Sequence, residues 1–373
     1  MNRRVTLRDI AVKSGFKRST VSAALKGDPG VKSATRELIM RIAQELGYRP
    51  DPMLKALSVY RQAVKPANYR ATLAWFSNTD APQIYRTDYV FKRYVEGARA
   101  RAEQLGYTIE EFTLRAPKMT PKRIEGILKA RGINGIFVAP QPASRVKMRI
   151  SFNWSQFHAV AFGFSLAWPP LHRVSAHHAG GAKLVVRKLL AMGYRRIGLV
   201  IDPHADKRVD GNWIGGYIAN LAHRKLAPLI YLRPPHISEA NLPRLKAWIL
   251  KKKPEVLIAE WSPPLVEWLR KTCKLRVPED IGVAGLNVLP DDTIYSGIDQ
   301  REWEIGWNAA DMLVNMINTH ERGIPTVPHK LFIDGIWREG TTITRPLTSS
   351  TGLPYDGGKS AFYEKTPGWI CRS

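Results

Sequence analysis

The sequence predicts two fold types in one chain: a small all-α N-terminal module, then a two-lobed α/β body built on parallel sheets. Three observations carry this. The first fifty residues break into three short amphipathic helices separated by glycine turns. From residue 70 onward, apolar runs of strand length alternate with helical patterns. The alternation continues for roughly 270 residues, more than one such lobe requires.

In the N-terminal module, Thr6 with Asp9 three positions later forms a capping-box pattern. Leu7, Ile10 and Ala11 give the first helix an apolar face that Gly15 ends. Lys17 to Lys26 forms a second helix, with Val21, Ala24 and Leu25 on one side and Arg18, Ser19, Ser22 and Ala23 on the other, and the Gly27-Asp28-Pro29-Gly30 run breaks it. A third helix over Ser33 to Leu46 carries Leu38, Ile39, Ile42, Ala43 and Leu46, with Gly47 as its stop. A short helix pair at a tight turn, braced by a third helix, is a helix-turn-helix pattern whose second helix can enter a major groove. The alternative on pattern alone is a three-helix bundle with a solvated basic face. Beyond it, Asp51 as N-cap and Pro52 at the first helical position start a short helix bearing Leu54 and Leu57. So short a helix needs a partner to persist, which fits a hinge that orders on contact, or else a plain linker.

In the body, strands are expected at Ala71 to Phe76, Tyr107 to Phe112, Gly135 to Ala139, Ala159 to Phe162, Arg196 to Ile201, Val256 to Ala259 and Ile281 to Gly285. Helices are expected at Tyr89 to Leu105, through Ile124, Ile127 and Leu128, and at Ala179 to Met192. The segment Leu347 to Ser373 is poor in aliphatic residues and is expected to be mobile, although Phe362, Tyr363 and Trp369 could dock.

Charge narrows the partners. Of 373 residues, 57 are Lys or Arg and 32 Asp or Glu, a formal net charge of +25. Residues 1–70 hold fifteen Lys/Arg and five Asp/Glu, which is +10 of the total. A polyanion is therefore the first partner to consider. The 44% hydrophobic content suffices for a buried core. No apolar run reaches membrane-spanning length, and Met1 to Asp9 lacks the apolar centre of a secretory signal, so no membrane partner and a cytoplasmic, nucleoid-associated location are expected. Cys273 and Cys371 offer neither a disulfide framework nor a zinc pattern. Adjacent His177 and His178 point to different sides of regular structure and lack a ligand partner at suitable spacing, so no metal and no cofactor is expected. No Gly-x-Ser-x-Gly elbow, Walker loop or His-Glu-x-x-His occurs, and the chain is read as a non-enzyme.

The run Thr6-Leu7-Arg8-Asp9-Ile10-Ala11, then Gly15, Ser19-Thr20-Val21-Ser22, Val31, Thr35-Arg36 and Leu46-Gly47-Tyr48 with Pro50, resembles the headpiece of the lactose-repressor (LacI/GalR) family of transcriptional regulators. Leu190 to Gly198, Val277 to Gly285 and Gln300 continue the resemblance, which spans roughly residues 4–345. It implies a headpiece over 1–50, a hinge helix and linker over 51–69, a periplasmic-binding-protein-like effector and dimerisation domain over 70–346, and a tail over 347–373. It further implies a homodimer on a pseudo-palindromic operator of double-stranded DNA, expected to repress and to respond to a small molecule such as a carbohydrate.

The DNA-contacting positions implied are Thr6, Arg8, Lys17, Arg18, Ser19, Thr20, Ser22, Ala23, Lys26, Thr35, Tyr48, Leu54 and Leu57. Among them Arg18, Ser19 and Ala23 read bases and Leu57 wedges into the minor groove. Ala23 stands where many relatives carry arginine, so the operator preference should differ, with Arg18 contacting either a guanine at another base pair or phosphate; Lys17 stands where Ser or Thr often caps the helix, a weaker start for it. Implied effector contacts depart further. Trp213 replaces an arginine, Glu260-Trp261 an Asn-Asp pair, Asn287 an aspartate, and Gly163 stands at a strand end that often carries Asp. The tryptophans could stack on a planar group or sugar ring oriented by Arg208, Glu260 and Asn287, or could simply pack. The other classes weighed are a ligand-binding protein and a carbohydrate-active enzyme on the same scaffold. The second needs a carboxylate pair about 5–9.5 Å apart, and Glu260 alone is not a pair.

Overall fold

A computed structural model describes residues 5–25, 30–48, 71–78, 88–141, 148–234, 242–260 and 262–344. The expected hinge with Leu54 and Leu57, Lys26, Trp261 and the tail lie outside the described residues.

Helices α1 (Leu7–Ser14), α2 (Arg18–Leu25) and α3 (Ser33–Glu45) form the N-terminal module. At the start of α1 the Asp9 carboxylate accepts from both the backbone N–H and the hydroxyl of Thr6, each at 2.7 Å, which answers an otherwise orphaned donor. Gly15 ends α1 at φ 73°, a conformation only glycine takes without strain. Ile10, Val21, Ala24, Val31, Ile39, Ile42 and Ala43 meet in one small core, and Phe16, Ala23 and Tyr48 pack against it. The sequence places Leu38 on the apolar face of the third helix, but the structure leaves it 39% exposed. Ile39 and Ile42 already fill the side of α3 that the two shorter helices can cover.

The body has two six-stranded sheets. The first takes the order β13-β7-β5-β3-β1-β2, from β1 (Ala71–Ser77), β2 (Tyr107–Thr113), β3 (Gly135–Val138), β5 (His158–Phe162), β7 (His172–Ala176) and β13 (Lys330–Ile333), all parallel. The second runs β14-β12-β11-β10-β8-β9, from β8 (Ile197–Ile201), β9 (Leu229–Leu232), β10 (Val256–Ala259), β11 (Gly282–Gly285), β12 (Ser296–Asp299) and β14 (Ile336–Arg338), with β14 alone antiparallel. A two-stranded ribbon pairs β4 (Met148–Arg149) with β6 (Leu166–Trp168). Inner strands such as β3, β5 and β8 are buried along their full length, as parallel strands covered on both faces must be.

Helices supply that cover. Helices α4 (Tyr89–Gln104) and α11 (Glu302–Thr319) pack on one face of the first sheet around Leu73, Trp75, Phe137, Phe162 and Leu313. Helix α5 (Pro121–Ala130) lies on the other face with Phe76 and Leu128. On the second sheet, α6 (His178–Met192) and α8 (Asn212–Ala222) cover one face. Helices α9 (Leu242–Lys252) and α10 (Ser262–Lys271) cover the other, while the short α7 (Pro203–Arg208) follows β8. The chain passes between the lobes three times: from β7 into α6, from β12 into α11, and from β13 into β14. A lobe pair linked along the chain by three short crossings can open and close about them.

Candidate DNA-reading helix and interlobe cleft

In the N-terminal module α2 buries Val21 and Ala24 and leaves Lys17, Arg18 and Ser19 exposed. The Lys17 carbonyl accepts from Val21 N–H at 3.0 Å, so Lys17 stands at the cap position and its side chain points from the helix start into solvent. Thr6 and Arg8 are exposed, and Ser22 and Tyr48 are half-buried. Ser19, Thr20, Ala23 and Thr35 line one groove with Phe16 and Val31. Ala23 is half-buried and touches the module's core, so its methyl is a packing contact as well as a groove wall. An arginine there would have to leave the core side for the groove.

The second candidate region lies between the lobes. A cavity of about 530 Å³ is lined by Asp88 and Tyr89 from the start of α4, Glu260 from the end of β10, and Asn287, Asp292 and Tyr295 from the β11–β12 connection. Strand ends of a parallel sheet are where such sites form. Glu260 has a side chain only 9% exposed; Arg233 donates to its Oε1, as does the Asp202 N–H at 3.2 Å. Burial pushes the Glu260 carboxyl up, and the Arg233 guanidinium opposes that rise. Its Oε2 and the Asn287 Oδ1 are both buried without a hydrogen-bond partner. Asp88 caps α4, accepting from Phe91 N–H at 3.2 Å, and Asp292 accepts from Ile294 and Tyr295 N–H at 2.8 and 3.1 Å.

Of the sequence-selected effector positions, Glu260 and Asn287 come together on this cavity, whereas Arg208 and Trp213 are not among the described residues lining it. Arg208, at the end of α7, instead donates from Nη1 to the Gln141 carbonyl at 2.6 Å, and this bond ties the second lobe to the first. Gln141 is held in turn by Asn78, whose Nδ2 donates to its Oε1 at 2.8 Å, and by the Ser165 hydroxyl, which accepts its N–H at 2.8 Å. Trp213 is 9% exposed and belongs to the second lobe's core, edge-on to His178 with ring centroids 5.3 Å apart. Its backbone N–H donates to Asp206 at 3.1 Å. Packing is thus the role its surroundings describe. Burial drives the His178 imidazole down to about 3, and His177 bonds Asp334 at 2.7 Å.

Sequence reasoning missed Asp88, Tyr89, Asp292, Tyr295 and Glu302. The last opens α11 at the second interlobe crossing, is 3% exposed, and leaves Oε1 without a hydrogen-bond partner. No helix of the described residues is long and apolar enough to cross a membrane.

Comparison with known proteins agrees with both halves. The family model described as "Bacterial regulatory proteins, lacI family" matches residues 6–51, and the one described as "Periplasmic binding protein-like domain" matches residues 186–339. The HTH-type transcriptional repressor CytR of Escherichia coli (strain K12) is 23% identical over 332 residues, covering 85% of this chain and 91% of that protein. The HTH-type transcriptional regulator CelR of Thermobifida fusca is 23% identical over 209 residues, 54% of this chain and 56% of that protein. Among solved structures, the lac repressor dimer bound to operator and the anti-inducer ONPF superposes with a TM-score of 0.54 at 19% identity, covering 92% of this chain and all of that one. A complex of the transcriptional regulator CelR with cellobiose gives 0.53 at 20% identity, over 91% of this chain and all of that one. The N-terminal helices and the two sheets thus share the fold of the lac repressor, with a match to the lacI family of bacterial regulatory proteins over residues 6–51 and to a periplasmic binding protein-like domain over residues 186–339.

Proposed function

We propose that this chain is a sequence-specific DNA-binding transcription regulator, a repressor, acting as a homodimer on a pseudo-palindromic operator. Its operator affinity is set by a small molecule of the sugar class held between the two lobes. The observation that carries the reading is α2: Lys17, Arg18 and Ser19 are exposed on a helix whose opposite side, Val21 and Ala24, is locked into the module's core. A rigid helix with cations at its start and small polar groups along one side suits major-groove docking.

In this reading Thr6, Arg8, Lys17, Lys26 and Tyr48 hold phosphates, Arg18, Ser19, Thr20, Ser22, Ala23 and Thr35 face the groove, and Leu54 and Leu57 act from the hinge. The division into a headpiece over 1–50, hinge over 51–69, effector body over 70–346 and tail over 347–373 belongs to the same proposal, as does a cytoplasmic location. Support for the ligand side comes from the CelR structure, which holds cellobiose, and support for paired headpieces from the lac repressor dimer on its operator. The relatives are named as regulators, which favours a non-enzyme.

The regulatory step follows from the three crossings. A ligand that favours one lobe arrangement shifts the spacing of the headpieces, provided it binds the two arrangements with different affinity. Selection of binding sites from random duplex DNA, followed by fluorescence anisotropy on the selected palindrome at physiological salt, tests the reading. A clear preference over scrambled duplex supports it, and equal affinity for both refutes it.

A further inference from the structure

The chain beyond residue 70 carries the remaining +15 of the net charge, and the second sheet gathers part of it at one end. Each strand of the row β9-β8-β10-β11 is entered from a helix through a basic connection. Arg224 and Lys225 lead into β9, and Arg195 and Arg196 into β8. Lys251, Lys252 and Lys253 lead into β10. Arg270 and Lys271 end α10, and Lys274 and Arg276 follow on the way into β11. All of these cations are exposed. Among the described residues only Lys271, with Glu267 at 2.6 Å, and Arg276, with Asp280 at 2.6 Å, have a carboxylate partner. Glu255 lies on the same face but is taken up by the Arg195 and Arg196 backbone N–H groups, at 2.6 and 2.9 Å. The first sheet differs, answering cations at its connections into β2 and β3 with acids: Arg101 pairs with Asp311 at 2.7 Å, Lys129 with Glu125 at 2.6 Å and Arg131 with Glu110 at 2.5 Å.

Tyr89, which follows β1, and Glu260, at the end of β10, both line the cleft, so the strands of both sheets end toward it. The basic connections stand at strand starts and face away from the cleft, at the pole of the body opposite Ala71, where the chain arrives from the N-terminal module. Four neighbouring strands at a spacing of about 4.8 Å make a row about 14 Å wide, comparable to a major groove of about 12 Å with its flanking phosphates. Resting on the regulator reading for the operator side, we propose that this face is a second DNA-binding surface, which takes a duplex through its phosphates while α2 holds the operator, so that one regulator bridges two DNA segments. Lysines and arginines in a row suit the repeating charge of a duplex, whose counterions they release. A protein partner fits less well, since lysine is depleted in protein–protein interfaces and DNA-binding surfaces are much more positive. A chain seated on an operator also meets a neighbouring segment of the same DNA at high effective concentration.

Surface plasmon resonance on the full chain tests this. The selected palindrome is tethered and loaded with the chain at about 50 mM salt, and a scrambled duplex is then passed over it. The loaded chain should take up the second duplex at micromolar concentration, and raising the salt to about 200 mM should weaken that uptake tenfold or more. Lys251→Gln/Lys252→Gln should weaken uptake about tenfold and lower the magnitude of its salt slope by about two, with loading on the palindrome unchanged. Arg224→Gln/Lys225→Asn, at a different connection, should act the same way. No uptake by the loaded chain, uptake unchanged in both variants, or binding of poly-L-glutamate or of phosphatidylglycerol vesicles in preference to duplex overturns the proposal. Failure of the regulator reading would appear earlier, as equal loading on tethered palindrome and tethered scrambled duplex, and leaves the uptake measurement intact.

Discussion

Glu302→Gln should abolish a pH dependence of the body's stability. Glu302 is 3% exposed, and burial, with Asp299 adding, drives its carboxyl from 4.5 to about 7, against the opposing pull of its own backbone N–H, Asn287 and Arg93. At 1.36 kcal/mol per pH unit, that displacement corresponds to about 3 kcal/mol. The folded pKa is raised, so between 4.5 and about 7 the native state holds a proton that the unfolded chain has released. This stabilisation is fully present below 4.5 and is lost as pH rises through about 7. Glutamine copies the protonated acid and has no such loss. Glu302→Gln should therefore match the parent near pH 4.5 and exceed it increasingly above that, by up to about 3 kcal/mol at pH 8. In thermal denaturation this is a gain of roughly 6–12 °C for a body of this size. Melting curves that stay parallel for the two proteins from pH 5 to 8 would refute the assignment of a buried, proton-holding carboxyl at this crossing.

Other perturbations test other links. A Cβ at Gly306 would lie 2.1 Å from the Tyr94 carbonyl oxygen, so Gly306→Ala must push α11 off α4 and should cost about 1–3 kcal/mol, read by urea denaturation. Arg208→Ala removes the bond from α7 to Gln141 and should shift the lobes toward an open arrangement; small-angle scattering should show a larger radius of gyration, and identical scattering would contradict the tie. Lys17→Ala should weaken all duplexes alike and reduce the magnitude of the salt slope of binding by about one, whereas a loss confined to the selected operator would make Lys17 a base reader. Ala23→Arg should add about 1–3 kcal/mol of preference for a guanine at one operator position, visible in repeated site selection.

The headpiece was largely legible because its signals are local. Thr6, Asp9 and Gly15 lie within one helix and its caps, and the bonds they make are those the spacing predicts. Strands such as β1 and β8 were legible as unbroken apolar runs. Of the edge strands only β2 was: β13, for one, is Lys-Leu-Phe-Ile with three of its four residues exposed, and its pairing partner β7 lies more than 150 residues earlier in the chain. Distance also hid the cleft. Asp88 and Tyr89 meet Asn287 and Tyr295 only after the chain has built both sheets, so no window of sequence brings them together. Trp213 misled for a different reason, since an aromatic ring at an expected binding position looks the same in sequence whether it faces a ligand or, as here, His178 and the core.

The central claim is that a cleft ligand and a headpiece on one chain act on the same operator. Fluorescence anisotropy of the full chain on its selected palindrome, with and without a saturating ligand found by calorimetry, tests it most directly. The ligand should change operator affinity by roughly 5- to 150-fold while leaving scrambled duplex unaffected. Identical operator affinity with and without the bound ligand would contradict it.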